Sequence, residues 1–286
     1  MGAHITLPEC SLKHFADEEN KISYYDLSAG EVKECYPGSY NTETDYFPDD
    51  FEKWLNREEE RHIGMLHKKL TEFESTQRGF QMDGKLKKRL VRIIATQTIR
   101  IPDIFESLMD TDERNREIDL LWELNIAIGN VNPYTLAARD RLRQEVATLS
   151  SKKKAFYTQG HIEELVERAC RKFANYAVHC AIISESVIGS FLLTPTLYFQ
   201  DDNRNRIYIP VSPRHAYVLL PIEESKKYID EQNRQRRFDI DKDELDSFVP
   251  HCISTTKTFK DKHLIGTKQY LLELIESGLL QTINEK

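Results

Sequence analysis

The run Phe191–Pro221, "FLLTPTLYFQDDNRNRIYIPVSPRHAYVLLP", is the most strand-like in the chain, and its reading decides the fold class. Residues 191–199 and 206–211 are rich in Phe, Tyr, Leu and Ile, side chains that suit a pleated, half-buried surface. "DDNRN" between them is a turn signature, so the two runs predict a hairpin. "HAYVLLP" supplies a third strand. Upstream, "HITL" and "KISYYDL" read as short strands, with "PECSLKHF" as a helical turn between them and Pro8 suited to its first position.

Most of the remainder carries helical signals. Asp49 or Asp50 caps a helix that runs to about residue 75. A second covers 84–109, and Pro102 kinks or interrupts it, because proline removes a backbone donor and clashes with the preceding turn. Further helices fit 112–128, 134–149 and 160–186, then 222–235, 241–248 and 260–277. There is no internal repeat. The expectation is an α+β fold, predominantly helical, with a small, mostly antiparallel sheet built from the N-terminal strands and the hairpin near 191–220. One domain over 1–286 is expected: a strand-containing segment 1–47, a helical core 48–188, the hairpin region 189–221 and C-terminal helices 222–286.

The chain has 286 residues, 40% hydrophobic and 30% charged, enough to bury a full core without staples. Its net charge of −7 disfavours nucleic acid and anionic membrane as partners. The five cysteines are odd in number and form no CxxC, which points to reduced thiols in the cytoplasm. No signal peptide and no membrane span is expected. "DIDKDEL" from Asp239 has Glu244 and Pro250 where a calcium loop needs Gly and Glu, so an EF-hand is rejected. "KLKKRLVR" lacks interleaved aromatics and reads as a solvated helix face. No metal and no cofactor is expected, since Glu59-x-x-His62 is only half of a helical di-iron pattern.

Polar residues on apolar faces locate a candidate site. At ~100° per residue from Phe51, Leu55, Leu66 and Phe73 form one stripe with Trp54 and Met65 beside it, and Glu58 and His62 fall inside it. Glu59 lies at its edge; Glu60 and His67 point away. On the next helix Leu86, Leu90, Ile93, Ile94 and Ile101 share a face with Gln97 in its middle and Arg100 at its margin. Burying such groups without partners costs several kcal/mol, so they meet one another or line a wet cleft. Glu58 or Glu59 is the candidate acid–base group, His62 its partner and Arg100 an anion clamp. A buried ion-pair network holding two helices in register is the other reading. His4, Gln97 and His215 are candidate ligand contacts. His179 in "NYAVHCAII" reads as a hydrogen-bonded core histidine. Cys10 and His14, four apart, read as a buried thiol beside a surface imidazole rather than a nucleophile pair.

Five segments stand in order along the chain. "HITLPECSLKHF" keeps Pro8, Leu12, Lys13 and Phe15, and "WLNREEERHIGMLHKKL" is a Glu-rich helix. "QTIRIP" carries Gln97, Arg100 and Pro102, and the strands "FLLTPTLYF" and "IPVSPRHAYVLLP" follow. Over about residues 4–265 this set resembles the motifs of DUF4238, a family of unknown function. Members tend to carry His where Ile5 stands, His4 being one residue too far from Pro8, and Ser-Asp where this chain has Thr194-Pro195. The resemblance implies that, if the family has a centre built from that His and Asp, this member is altered or inactive, with 191–221 as scaffold. It also implies occurrence mainly in bacteria, sometimes near mobile or defence genes.

Two functions are carried forward. The first is an intracellular ligand-binding or sensing and regulatory protein with a polar pocket between helices. The second is a divergent hydrolase acting on a phosphoester or nucleotide-like substrate. A homo-oligomer or a protein partner is compatible with either.

Overall fold

The computed structural model describes the chain apart from residues 1, 2, 5, 44, 45, 48, 77–83, 110, 148–159, 161, 162, 165, 202, 229–237 and 281–286. The N-terminal part runs β1 (Ala3–His4), α1 (Glu9–Lys13), β2 (Ile22–Asp26), β3 (Glu31–Cys35) and β4 (Thr42–Glu43). The helical part follows with α2 (Asp49–Leu55), a π-turn (Asn56–Glu60), α3 (Arg61–Thr76), α4 (Gly84–Arg100), α5 (Pro102–Met109), α6 (Thr111–Ala127) and α7 (Pro133–Ala147). A helix α8 over 166–172 leads into β5 (Tyr176–Ile183), β6 (Phe199–Asp201), β7 (Arg206–Ser212) and β8 (His215–Pro221). The chain ends with α9 (Ile222–Ser225), β9 (Phe238–Ile240), α10 (Lys242–Ser247), α11 (Val249–Lys257), β10 (His263–Gly266) and α12 (Lys268–Glu276).

The fold is α+β, but its sheet is not small. Five strands pair in the order β6-β7-β8-β5-β9, antiparallel except β5–β9, and three more in the order β10-β2-β3. The helix expected over 160–186 stops short. "YAVHCAII" is β5, paired with β8 from Tyr176↔Pro221 to Ile182↔His215. A short apolar run has no period that separates strand from buried helix. Apart from His179 this one is largely apolar because both faces are covered: Val178, Cys180 and Ile182 pack on one side, Ala181 and Ile183 on the other.

The helix expected over 260–277 also divides, because His263–Gly266 pairs with β2 before α12 begins. At Gly266 a Cβ would stand 2.8 Å from the end of the Leu192 side chain, which a larger residue would have to displace. Pro250 lies in the first turn of α11, where its missing N–H costs nothing, so the chain continues as helix past 248. The helix expected over 222–235 reduces, among described residues, to α9 and a 3₁₀ turn at Lys226–Tyr228. The hairpin is present, but its first strand is only Phe199–Asp201. Residues 191–198 make one isolated bridge, Leu193↔Ile265, and then a buried turn with Leu197 at φ 61°.

One apolar cluster joins α1, α3 and α4 to the sheet, through Leu12, Leu66, Ile93, Ile182 and Leu219 among others. A second joins the other face to α10, α11 and α12. A third packs Phe47, Phe51, Trp54 and Phe105 together under α2 and α5.

His179 is fully buried on β5, its Nε2 2.7 Å from Ser225 Oγ, and burial lowers its imidazole to about 4. A neutral imidazole in the folded state and a normal one in the unfolded state make stability fall as pH drops from about 6.5 toward 4. His14, lowered to about 4 by burial and by His67, adds to the same slope. Urea unfolding at pH 7 and pH 4 is expected to show a loss on the order of 3 kcal/mol from His179, with a smaller, solvent-screened share from the partly exposed His14, and His179→Gln to remove its part of that pH dependence.

Candidate functional site

The π-turn decides which carboxylate enters the core. A π-turn closes i→i+5, so each residue sweeps a smaller angle than in an α-helix and the stripe is rephased. Glu59, at the edge by α-helical arithmetic, is therefore fully buried, and Glu60, which that arithmetic turned outward, is half-buried near Arg100. The side chain of Glu58 lies outside the described residues, as does that of His4. His62 follows Glu59 by three residues and is half-buried.

Arg100 Nε stands 2.9 Å from Glu59 Oε2, and both side chains are sealed at 3% and 0% exposure. Burial raises the Glu59 carboxyl above its usual range; Arg100 offsets part of this and Glu60 adds to it. Burial raises Glu60 as well. Cys10 on α1 borders the cluster, and burial with the neighbouring Glu60 and Glu59 pushes its thiol up to about 12, so it is not a thiolate. His14 stacks on His67 at 3.5 Å.

One helical turn before Arg100, the Gln97 amide nitrogen donates to the carbonyl oxygens of Thr6 and Pro195, each at 2.6 Å. Two carbonyls demand the NH₂ end of the amide, which settles its orientation. Gln97 is fully buried. Its two partners belong to the two segments where this chain departs from the expected motifs, "HITLP" and "FLLTPTLYF". The second segment is a tight turn: Leu197 N–H donates to Thr194 O at 3.0 Å, and the Thr194 and Thr196 hydroxyls both donate to Tyr198 O. All of 194–197 is buried. The π-turn and α4 thus bring Glu59 and Arg100 together, with Gln97 one turn earlier on α4 and bonded to the two backbone segments. His215 lies elsewhere, holding Ser212 Oγ at 2.7 Å across the β7–β8 turn.

The polar network extends to residues that the sequence reading missed. Asn41 donates to Thr6 Oγ1 at 2.8 Å and to Asp261 Oδ2 at 2.9 Å. Tyr40, its hydroxyl kept protonated by burial and by Asp261, reaches Asp261 at 3.2 Å and His263 Nδ1 at 3.1 Å. His263 sits between two carboxylates, Asp261 at 2.9 Å and Asp26 at 3.8 Å, and is 26% exposed. Burial acts to raise Asp26, but Lys33 and the backbone N–H groups of Ala29 and Ser28 outweigh it and hold the carboxyl low. The only local signal was Asp261-x-His263, an alternation that places both on one side of an extended segment. Their partners arrive from more than 200 residues away.

Arg100→Leu leaves a carboxylate buried without its cation and is expected to cost about 3–5 kcal/mol in urea unfolding. Replacing both partners, Glu59→Leu with Arg100→Leu, is expected to recover most of that loss, because the cost lies in the orphaned charge.

The model of the family described as Protein of unknown function (DUF4238) matches residues 6–284. No curated protein and no solved structure matches the chain.

Proposed function

The chain belongs to the DUF4238 family, and from that premise we propose that it is a non-catalytic binding or sensing member, regulatory rather than hydrolytic. The observation that carries this reading is the Gln97 amide, which occupies the meeting point of the N-terminal motif and the 194–197 turn and binds a backbone carbonyl of each. A centre assembled from those two segments would need room for substrate there. In its place stand fully buried backbone, two threonine hydroxyls committed to Tyr198, and an ion pair closed from solvent. The network reaches the surface at His263, so recognition of a ligand or partner is assigned to that end. Five free thiols fit a reducing, cytoplasmic setting; among the described residues no helix is long and apolar enough to cross a membrane.

The hydrolase reading retains one observation: the Glu59 and Glu60 carboxyls are both raised, beside a guanidinium, as a general acid would be. The two readings separate in one assay. The full chain is incubated with p-nitrophenyl phosphate, nucleoside triphosphates and single-stranded RNA, with magnesium or manganese. No turnover above that of Glu59→Gln is expected. Turnover abolished by Glu59→Gln at an unchanged unfolding midpoint would overturn the proposal. Gln97→Leu, which strands two buried carbonyls, is expected to cost about 3 kcal/mol of stability.

A further inference from the structure

We propose that the α6–α7 hairpin is a self-association arm that docks on the same hairpin of a second copy of this chain, completing a four-helix bundle. The hairpin is specified by its own ends. Gly129, at φ 70°, closes α6: its N–H reaches Ile126 O and the N–H of Asn130 reaches Asn125 O, the paired bonds of a Schellman cap. Asn132 opens α7, its side chain accepting the N–H groups of Tyr134 and Thr135 at 3.0 Å, and the Thr135 hydroxyl accepts the Asn132 N–H in return. Pro133 then fills the first helical position.

This well-capped element has no core of its own. Among the described side chains between 115 and 144, none is buried. Leu120, Leu124 and Ile128, one stripe at a spacing of four, are 64%, 57% and 67% exposed. Beside the stripe, an open groove of about 210 Å³ between the helices is lined by Leu121, Trp122 and Leu142. The stripe itself exposes on the order of 400 Å², as large as the largest contiguous patch of an ordinary monomer, and the groove beside it adds the further apolar surface that an interface of ~800 Å² per partner needs.

Charge favours a second copy as the occupant. α6 carries five carboxylates and two arginines; α7 carries three arginines and two carboxylates. Within one hairpin, Asp119 of α6 already pairs with Arg143 and Arg139 of α7. Across a two-fold axis, α6 of one copy beside α7 of the other repeats the acid-to-base match, and the leucine stripe of each fills the groove of the other. The acidic excess on α6 opposes an anionic lipid surface.

Sedimentation equilibrium of the full chain from about 1 to 100 μM is expected to show a monomer–dimer equilibrium. Leu120→Glu with Leu124→Glu is expected to raise the dimer Kd at least about 100-fold, at unchanged helicity and unfolding midpoint, since both side chains face solvent in the monomer. Should the charged pair reduce helicity, Leu120→Ser with Leu124→Ser is read instead, with the same direction expected. A monomer throughout the range, or a dimer indifferent to the substitutions, overturns the proposal. So does a monomer that instead co-sediments with phosphatidylcholine–phosphatidylserine vesicles.

Discussion

A mixed sheet covered on both faces makes every buried polar group costly unless another part of the chain supplies a partner, and three such pairings tie the layers of this protein together. β5 and β8 are buried along most of their length, with one set of side chains against α3 and α4 and the other against the C-terminal helices. Water is not available to satisfy what lies between these layers. His179 is met by Ser225, the Tyr217 hydroxyl donates to Leu66 O at 2.8 Å, and Gln97 is met by the backbone carbonyls of Thr6 and Pro195, far apart in the chain.

Gln97 acts by position. It lies on α4, the helix between the first 40 residues and the sheet, so its amide ties the segment before α1 to the turn before β6. From there the network runs through Thr6 and Asn41 to Asp261 and His263, which joins the three-stranded sheet to the same core. The Glu59–Arg100 pair sits one turn away and is equally closed. Buried ion pairs of this kind add little net stability over apolar packing, but they penalise any arrangement that separates them. In this chain they hold the π-turn against α4 and so fix the phase of the helix that follows.

The α6–α7 hairpin follows the opposite logic. Its shape is stated locally, by a glycine at the cap of one helix and by an asparagine cap followed by a proline at the start of the other, and none of its described side chains between 115 and 144 is buried. A module of this kind can be rigid while leaving its apolar stripe for another surface, whereas the central sheet has no apolar face to spare.

The sequence by itself determined what depends on near neighbours. The α+β class, the division of α4 from α5 at Pro102, the two helices around "NVNP", the hairpin at "DDNRN" and the strand "HAYVLLP" all follow from caps, turns and periodicity acting over a few residues. Motif order over most of the length also carried the family. Tertiary structure decided the rest. "YAVHCAII" is a strand because β8 and β9 flank it, and His263–Gly266 is a strand because β2 does. Glu59 rather than its neighbours enters the core because the π-turn changes the angle per residue, a departure that no fixed period anticipates. The Tyr40–Asp261–His263 cluster joins positions more than 200 residues apart. Local propensity acts over one or two turns of chain; which group becomes whose partner in a dry interior depends on how the layers close.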